Sequence, residues 1–142
     1  MSRVKDLLHN RQLYWVEEHQ TVAEVARRMA ELHVGAVVVL ANGLLKGVFS
    51  ERDLMLRMVL QRRDPDLTQV RDVMSKNVVT IDETASIEEA MENMTSFNYR
   101  HLPVTRGPKV VGFLSMRDVL NHELAQKTDE LHHMRAYING SA

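Results

Sequence analysis

The sequence contains itself twice. Sliding it by 65 positions lays residues 21–54 on residues 86–119 without a gap, and a repeat of this kind restricts the fold to two copies of one small unit. Thr21-Val22-Ala23-Glu24 falls on Ser86-Ile87-Glu88-Glu89, and both are capping boxes, in which a hydroxyl and a carboxylate satisfy the first free N–H groups of a helix. Behind the caps, Val22, Val25, Ala26 and Met29 in one copy and Ile87, Ala90, Met91 and Met94 in the other follow the spacing of one buried helical face.

Short β-branched runs come next, at residues 36–40 and 102–105, and each runs into a turn. Asn42-Gly43 is a strong hairpin signal because both positions tolerate φ > 0, and residues 106–109 fill the same slot in the second copy. The returning strands are predicted over 45–49 and 110–114, and a second helix starts at Ser50 or Ser115. One further strand precedes each first helix, at residues 14–16 and 78–81. The unit is therefore strand, helix, hairpin, helix, and the fold class is α+β. A unit of roughly 60 residues buries only about 60% of its unfolded surface, so two are expected to pack together. We expect repeat one over 1–62, a connecting segment over 63–69, repeat two over 70–121 and a helical tail over 122–142. The tail carries an approximate apolar stripe through Leu124, Leu131, Met134 and Ile138, and has no counterpart in the first copy.

The two copies share one chemically loaded turn: Gly47-Val48-Phe49-Ser50-Glu51-Arg52-Asp53 and Gly112-Phe113-Leu114-Ser115-Met116-Arg117-Asp118. Each brings a hydroxyl, a guanidinium and a carboxylate to a helix N-terminus, where free N–H groups and the helix dipole attract an anion and Arg adds a fork suited to phosphate. A carboxylate beside a phosphate site suits the acceptor of a neighbouring diol, so the set fits a ribose phosphate. Ser-x-x-Asp is equally a plain helix cap with an acid in the first turn. Capping accounts for Ser and Asp and leaves Arg52 and Arg117 over; descent of both copies from one ancestor accounts for all four residues without a ligand.

These motifs resemble the tandem cystathionine-beta-synthase (CBS) domain pair, or Bateman module, over residues 4–120. The resemblance rests on Gly-hydrophobic-hydrophobic-Ser-x-x-Asp at Gly47, Ser50 and Asp53 and at Gly112, Ser115 and Asp118, and on Arg100-His101-Leu102-Pro103-Val104. It implies two βαββα units packed sheet to sheet about a pseudo-twofold axis, with adenine nucleotides in the clefts between them. By resemblance, Asp118 and Asp53 hold ribose, while Ser115, Arg117, Arg100, His101, Ser50 and Arg52 face phosphate. Leu13, Tyr14, Val34, Gly35, Ala36 and Pro103 then belong to the adenine pocket of the Asp118 site, and Lys76, Asn77, Val78 and Tyr99 to that of the Asp53 site. In the first copy Gly35-Ala36-Val37-Val38 stands where the second has Arg100-His101-Leu102-Pro103. The Asp118 cleft is accordingly expected to be the better mononucleotide site, with the Asp53 cleft weaker, empty, or taking the second half of a ligand such as NAD. The expected ligand is AMP, ADP, ATP or NAD(H), bound for regulation, and the resemblance also implies a homodimer.

Other functions find less support. A net charge of −1 from mixed acids and bases supplies no basic field for nucleic acid. Without cysteine there are no disulfides or thiolate chemistry, which fits a reducing cytoplasm, and no apolar run approaches the roughly 18 residues of a membrane span. His122-Glu123-Leu124-Ala125-Gln126 has Gln where a zinc-protease helix needs its second His, and the adjacent His132 and His133 point about 100° apart on a helix. No nucleophile and base pair is evident, and the acid pairs Glu17-Glu18 and Asp82-Glu83 are expected to sit solvated before helix caps. We expect a non-enzymatic nucleotide sensor, with a structural adaptor of empty clefts, binding an unidentified protein through its tail helix, as the alternative.

Overall fold

The computed structural model describes residues 2–8 and 13–139; residues 140–142 of the expected tail lie outside them. A short helix α1 (Val4–Leu7) is followed by β1 (Trp15–Glu17), α2 (Val22–Leu32), β2 (Ala36–Ala41) and β3 (Leu44–Ser50). A single turn, α3 (Glu51–Asp53), passes directly into a π-helical stretch, Leu54–Val59, and a 3-10 turn covers Val70–Asp72. The second half repeats the order as β4 (Ile81–Asp82), α4 (Ile87–Phe97), β5 (His101–Arg106), β6 (Lys109–Ser115) and the long α5 (Met116–Ile138).

Each half builds one three-stranded sheet, ordered β1-β2-β3 and β4-β5-β6, with a parallel first pair and an antiparallel hairpin. Both hairpins slip register at the same place, between Val39 and Leu40 and between Val104 and Thr105. The capping boxes form as expected: the Glu24 N–H donates to Thr21 Oγ1 at 3.2 Å and the Glu89 N–H to Ser86 Oγ at 3.1 Å. Asn42 and Gly43 take the positive φ values of 52° and 76° that their turn requires.

The strand expected over 78–81 is shorter than its β-branched run, because pairing to β5 begins only at Ile81 opposite Val104. Nor is the acid pair at 82–83 simply solvated. Glu83 accepts a two-pronged contact from Arg106, at 2.6 and 3.0 Å, which holds its carboxyl below the usual carboxylate range.

There are two main cores and a layer between the sheets. Val16, Val22, Val25, Met29, Val37, Val39 and Phe49 fill the first core, and Ile81, Ile87, Ala90, Met94, Leu102, Val104 and Leu114 the second. Val38, Leu40 and Val110, with Leu13, Leu45 and Phe113, join the sheets face to face.

Two segments cross between the halves. Val4 is fully buried in the second core, with its N–H donated to the Ala85 carbonyl at 2.8 Å. Val70, Val73 and Met74 are buried in the first core, with the Val70 N–H donated to the Gln20 carbonyl at 2.8 Å. The sequence signal for this exchange is a short second repeat, Val4-Lys5-Asp6-Leu7-Leu8 against Val70-Arg71-Asp72-Val73-Met74.

Candidate functional site

The exchange explains the glycine of each loaded turn. A Cβ on Gly47 would lie 2.6 Å from the Ser75 carbonyl and 2.8 Å from the Met74 sulfur; one on Gly112 would lie 2.6 Å from Leu8 Cδ1. The crossing segments run so close over β3 and β6 that a Cβ would force the Ser75 backbone or the Met74 side chain to shift at Gly47 and the Leu8 side chain at Gly112. Sequence reading assigned these glycines to the motif; their physical task is this close approach.

At the end of each strand the turn closes on itself as a cap. The Ser50 N–H donates to Asp53 Oδ2 at 3.0 Å and the Asp53 N–H to Ser50 Oγ at 3.2 Å. The second copy matches it, with the Ser115 N–H donating to Asp118 Oδ2 at 3.0 Å and the Asp118 N–H to Ser115 Oγ at 3.1 Å. Capping thus occupies one oxygen of each carboxylate.

The surroundings of the two carboxylates differ. Asp53 is only 7% exposed, and its Oδ1 accepts the Ser75 hydroxyl at 3.1 Å. Arg57, one turn further along, brings Nε to 3.9 Å from the same oxygen. That guanidinium is held in place by donating Nη1–H to the carbonyls of Val73 and Met74, at 3.0 and 2.7 Å. Both Asp53 oxygens are therefore engaged by this chain's own groups. Arg57 and Ser75 were missed in the sequence; the signal available was only that an Arg stands four residues after Asp53, where His122 stands after Asp118.

Asp118 lines a cleft of about 1370 Å³ between the halves. Of the residues expected there, Leu13, Tyr14, Val34, Gly35, Ala36, Arg100, His101, Ser115 and Arg117 all line it, drawn from both copies. Pro103 does not: it is buried within β5. Arg52, Ser50, Lys76, Asn77, Val78 and Tyr99 stand outside this cleft; the Tyr99 hydroxyl donates to the Asn77 carbonyl at 3.0 Å.

Among the lining residues that sequence reading missed, two are ionisable, Glu51 and His33. Glu51 enters from the first copy's turn, with a carboxylate oxygen 3.5 Å from where a Gly35 Cβ would stand. His33 caps α2 in the left-handed conformation, φ 56°.

His101 sits at the inner wall with its ring stacked on Phe113, centroids 5.0 Å apart. Burial pushes its pKa below the ordinary value; the Asp118 carboxylate pulls it back up, Arg100 pushes it down and Glu51 raises it slightly. Arg100 and Arg117 add permanent charge, and Ser115 stands at the N-terminus of α5. The cleft thus brings the cations of Arg100 and Arg117 together with the apolar side chains of Leu13, Val34 and Ala36 and the ring of Tyr14; of the first N–H groups of α5, that of Met116 is donated to the Arg100 carbonyl and that of Asp118 to Ser115 Oγ. Among the described residues, no group of three or more His, Asp or Glu side chains is arranged to hold a metal ion, and no helix is long and apolar enough to cross a membrane.

A tandem pair of βαββα units with a shared cleft defines the class, and comparison with known proteins gives the family. The CBS domain family model matches twice, at residues 4–60 and 70–125. The chain belongs to the CBS domain family. It is 34% identical over 128 residues to the CBS domain-containing protein YhcV of Bacillus subtilis, covering 90% of each chain. It is 30% identical to the mitochondrial CBS domain-containing protein CBSX3 of Arabidopsis thaliana, covering 89% of this chain and 64% of that protein. Among solved structures, a putative signal-transduction protein with CBS domains from Burkholderia ambifaria matches with a TM-score of 0.82 at 31% identity, covering 87% of this chain and 95% of the other. The CBS domain protein PAE2072 of Pyrobaculum aerophilum, solved in complex with AMP, matches with a TM-score of 0.75 at 34% identity, covering 82% and 89%.

Proposed function

We propose that this chain is a non-enzymatic regulatory module that binds an adenine nucleotide, AMP-like or NAD(H), in the cleft at Asp118. The observation that carries this reading is the convergence of Ser115, Arg117 and Asp118 from one copy with Tyr14, Val34 and Gly35 from the other around that cleft. In this reading Asp118 accepts the ribose hydroxyls, and the Ser115 end of α5 with Arg100, Arg117 and His101 receives phosphate. Tyr14, Val34 and Ala36 flank the base. The carboxylates of Glu51 and Asp118 partly offset the cations, which suits one or two phosphates better than three. The AMP complex of PAE2072 supports the ligand class.

Because the cleft is lined by both halves, a bound nucleotide would favour one arrangement of the copies and so act by shifting a population. We further place the module in a reducing cytoplasm, as a homodimer. Thermal unfolding against AMP, ADP, ATP, NAD(H) and S-adenosylmethionine tests the nucleotide reading. A ligand at about 100 times its dissociation constant stabilises by about 2.7 kcal/mol, which moves the midpoint by roughly 5–10 °C in a domain of this size. If no nucleotide moves it, the sensor reading falls and the structural adaptor takes its place.

A further inference from the structure

Glu51 lines the Asp118 cleft although it belongs to the turn of the first copy. Its backbone does what the repeat requires: the Glu51 N–H donates to the Gly35 carbonyl at 2.9 Å, as the Met116 N–H donates to the Arg100 carbonyl at 2.7 Å. The side chains on these two matched frames differ in charge. The second copy carries Arg100 with Met116, the first Gly35 with Glu51, and all four residues line the same cleft.

Among the described residues no hydrogen bond or ion pair holds the Glu51 carboxylate. The residue is exposed, and its carboxylate lies over Gly35, with oxygens 3.5 and 3.6 Å from where a Cβ would stand. Its field reaches the basic wall, where it raises the pKa of His101 against the depression caused by burial. An acid in the first turn of α3 also suits the helix dipole, a role that does not depend on the charge of any ligand. Apart from the histidines, the charged side chains described along the cleft are Arg100 and Arg117 against Asp118 and Glu51. Without Glu51 the cations would be in excess.

We propose that Glu51 is the residue by which the Asp118 cleft selects nucleotides by charge, admitting a monophosphate and rejecting a free triphosphate. The inference rests on the nucleotide reading above and adds to it the group that limits phosphate number. Asp118 is tied into its cap, whereas the Glu51 carboxylate is committed to no structural bond. Each further phosphoryl group brings more negative charge into a cleft whose two arginines already face two carboxylates, and like charge in a partly desolvated site is a means of rejection. The first copy, whose own Asp53 is enclosed, thereby acts on the ligand of the second.

Calorimetric titration of the full chain with AMP and with ATP, at low salt and without magnesium, tests this. Glu51→Gln keeps the side-chain shape and the N–H to Gly35 and removes only the charge. It should tighten ATP about tenfold and AMP by no more than about threefold, a gain that misfolding does not produce. Glu51→Asp, which keeps the charge, should retain the discrimination against ATP, and added salt should shrink the difference between the wild type and Glu51→Gln. An equal change for AMP and ATP in Glu51→Gln, or none, would overturn the proposal while nucleotide binding itself stood. ATP binding that needs magnesium in the wild type and is lost in Glu51→Gln would also overturn it, by making Glu51 a ligand of the nucleotide's cation. If neither nucleotide bound to the wild type or to a variant, the nucleotide reading would fall and the proposal with it.

Discussion

The turns at Asp53 and Asp118 have the same cap geometry and opposite surroundings. Ser50 with Asp53 and Ser115 with Asp118 form the same pair of reciprocal hydrogen bonds within 0.1 Å of one another. Yet Asp53 is buried under Ser75 and Arg57, whereas Asp118 lines a large cleft with Arg100, Arg117 and His101. A local motif fixes where a carboxylate points. Segments that arrive from elsewhere in the chain fix whether it serves as structure or as a ligand group.

Substituting the two aspartates should therefore produce crossed effects. Asp118→Ala should weaken nucleotide binding about 100-fold, the loss expected from two hydrogen bonds to a charged acceptor, at a stability cost of about 1 kcal/mol for the cap. Asp53→Ala should leave nucleotide affinity within about threefold but cost about 2 kcal/mol, because it removes the cap and also strips the Ser75 hydroxyl of its acceptor. Titration calorimetry and urea unfolding on both variants measure the crossing; equal losses of affinity would erase the distinction between the clefts.

A smaller contrast is expected at the glycines. Gly47→Ala drives a methyl into the Ser75 backbone carbonyl and should cost roughly 2–3 kcal/mol, whereas Gly112→Ala meets the end of the Leu8 side chain, which can move, and should cost about 1 kcal/mol. Denaturation midpoints rank them, and the reverse order would mean that the two crossing segments are not held as described.

The smallest effect is protonic. His101 has a depressed pKa in the folded protein. The unfolded chain therefore takes up its proton first as pH falls below about 6.5, and the free protein loses stability from there down through the depressed folded value. Nucleotide phosphate would oppose that depression. Binding near pH 6.5 should take up a fraction of a proton at His101, seen as a calorimetric enthalpy that varies with buffer ionisation heat, and His101→Gln should reduce that uptake to what the phosphate itself exchanges. The first copy has Ala36 at the matching position and offers no such signal.

Much of this contrast could be read in the sequence. Gly35 and Ala36 standing where the second copy has Arg100 and His101 already separates the clefts, since backbone substitutes poorly for a guanidinium. Both helix caps and both hairpins follow from periodicity and turn residues, and the packing together of the halves from size; that they pack sheet to sheet was implied only by the family resemblance. What stayed hidden depended on contacts distant in sequence. Arg57 is one turn from Asp53, an ordinary surface spacing, and becomes a lock only because the carbonyls of Val73 and Met74 are delivered beside it. Val78 and Val79 are as β-branched as any strand, but residue 75 is already paired with Val48, and the chain must cross to the other half before pairing resumes at Ile81. Glu51 entered the Asp118 cleft from the opposite copy, which local reading of its own turn does not reveal.

The crossed segments also impose an order of assembly on a chain made from its N-terminus. The first core is complete once Val70, Val73 and Met74 have been synthesised, but Val4 has no seat until Ile81, Ile87 and Leu102 exist. During translation the leading segment must wait, apolar and undocked, while most of the second half emerges. Its arrival then fastens Val4 into the second core, so neither half can be released without unseating part of the other.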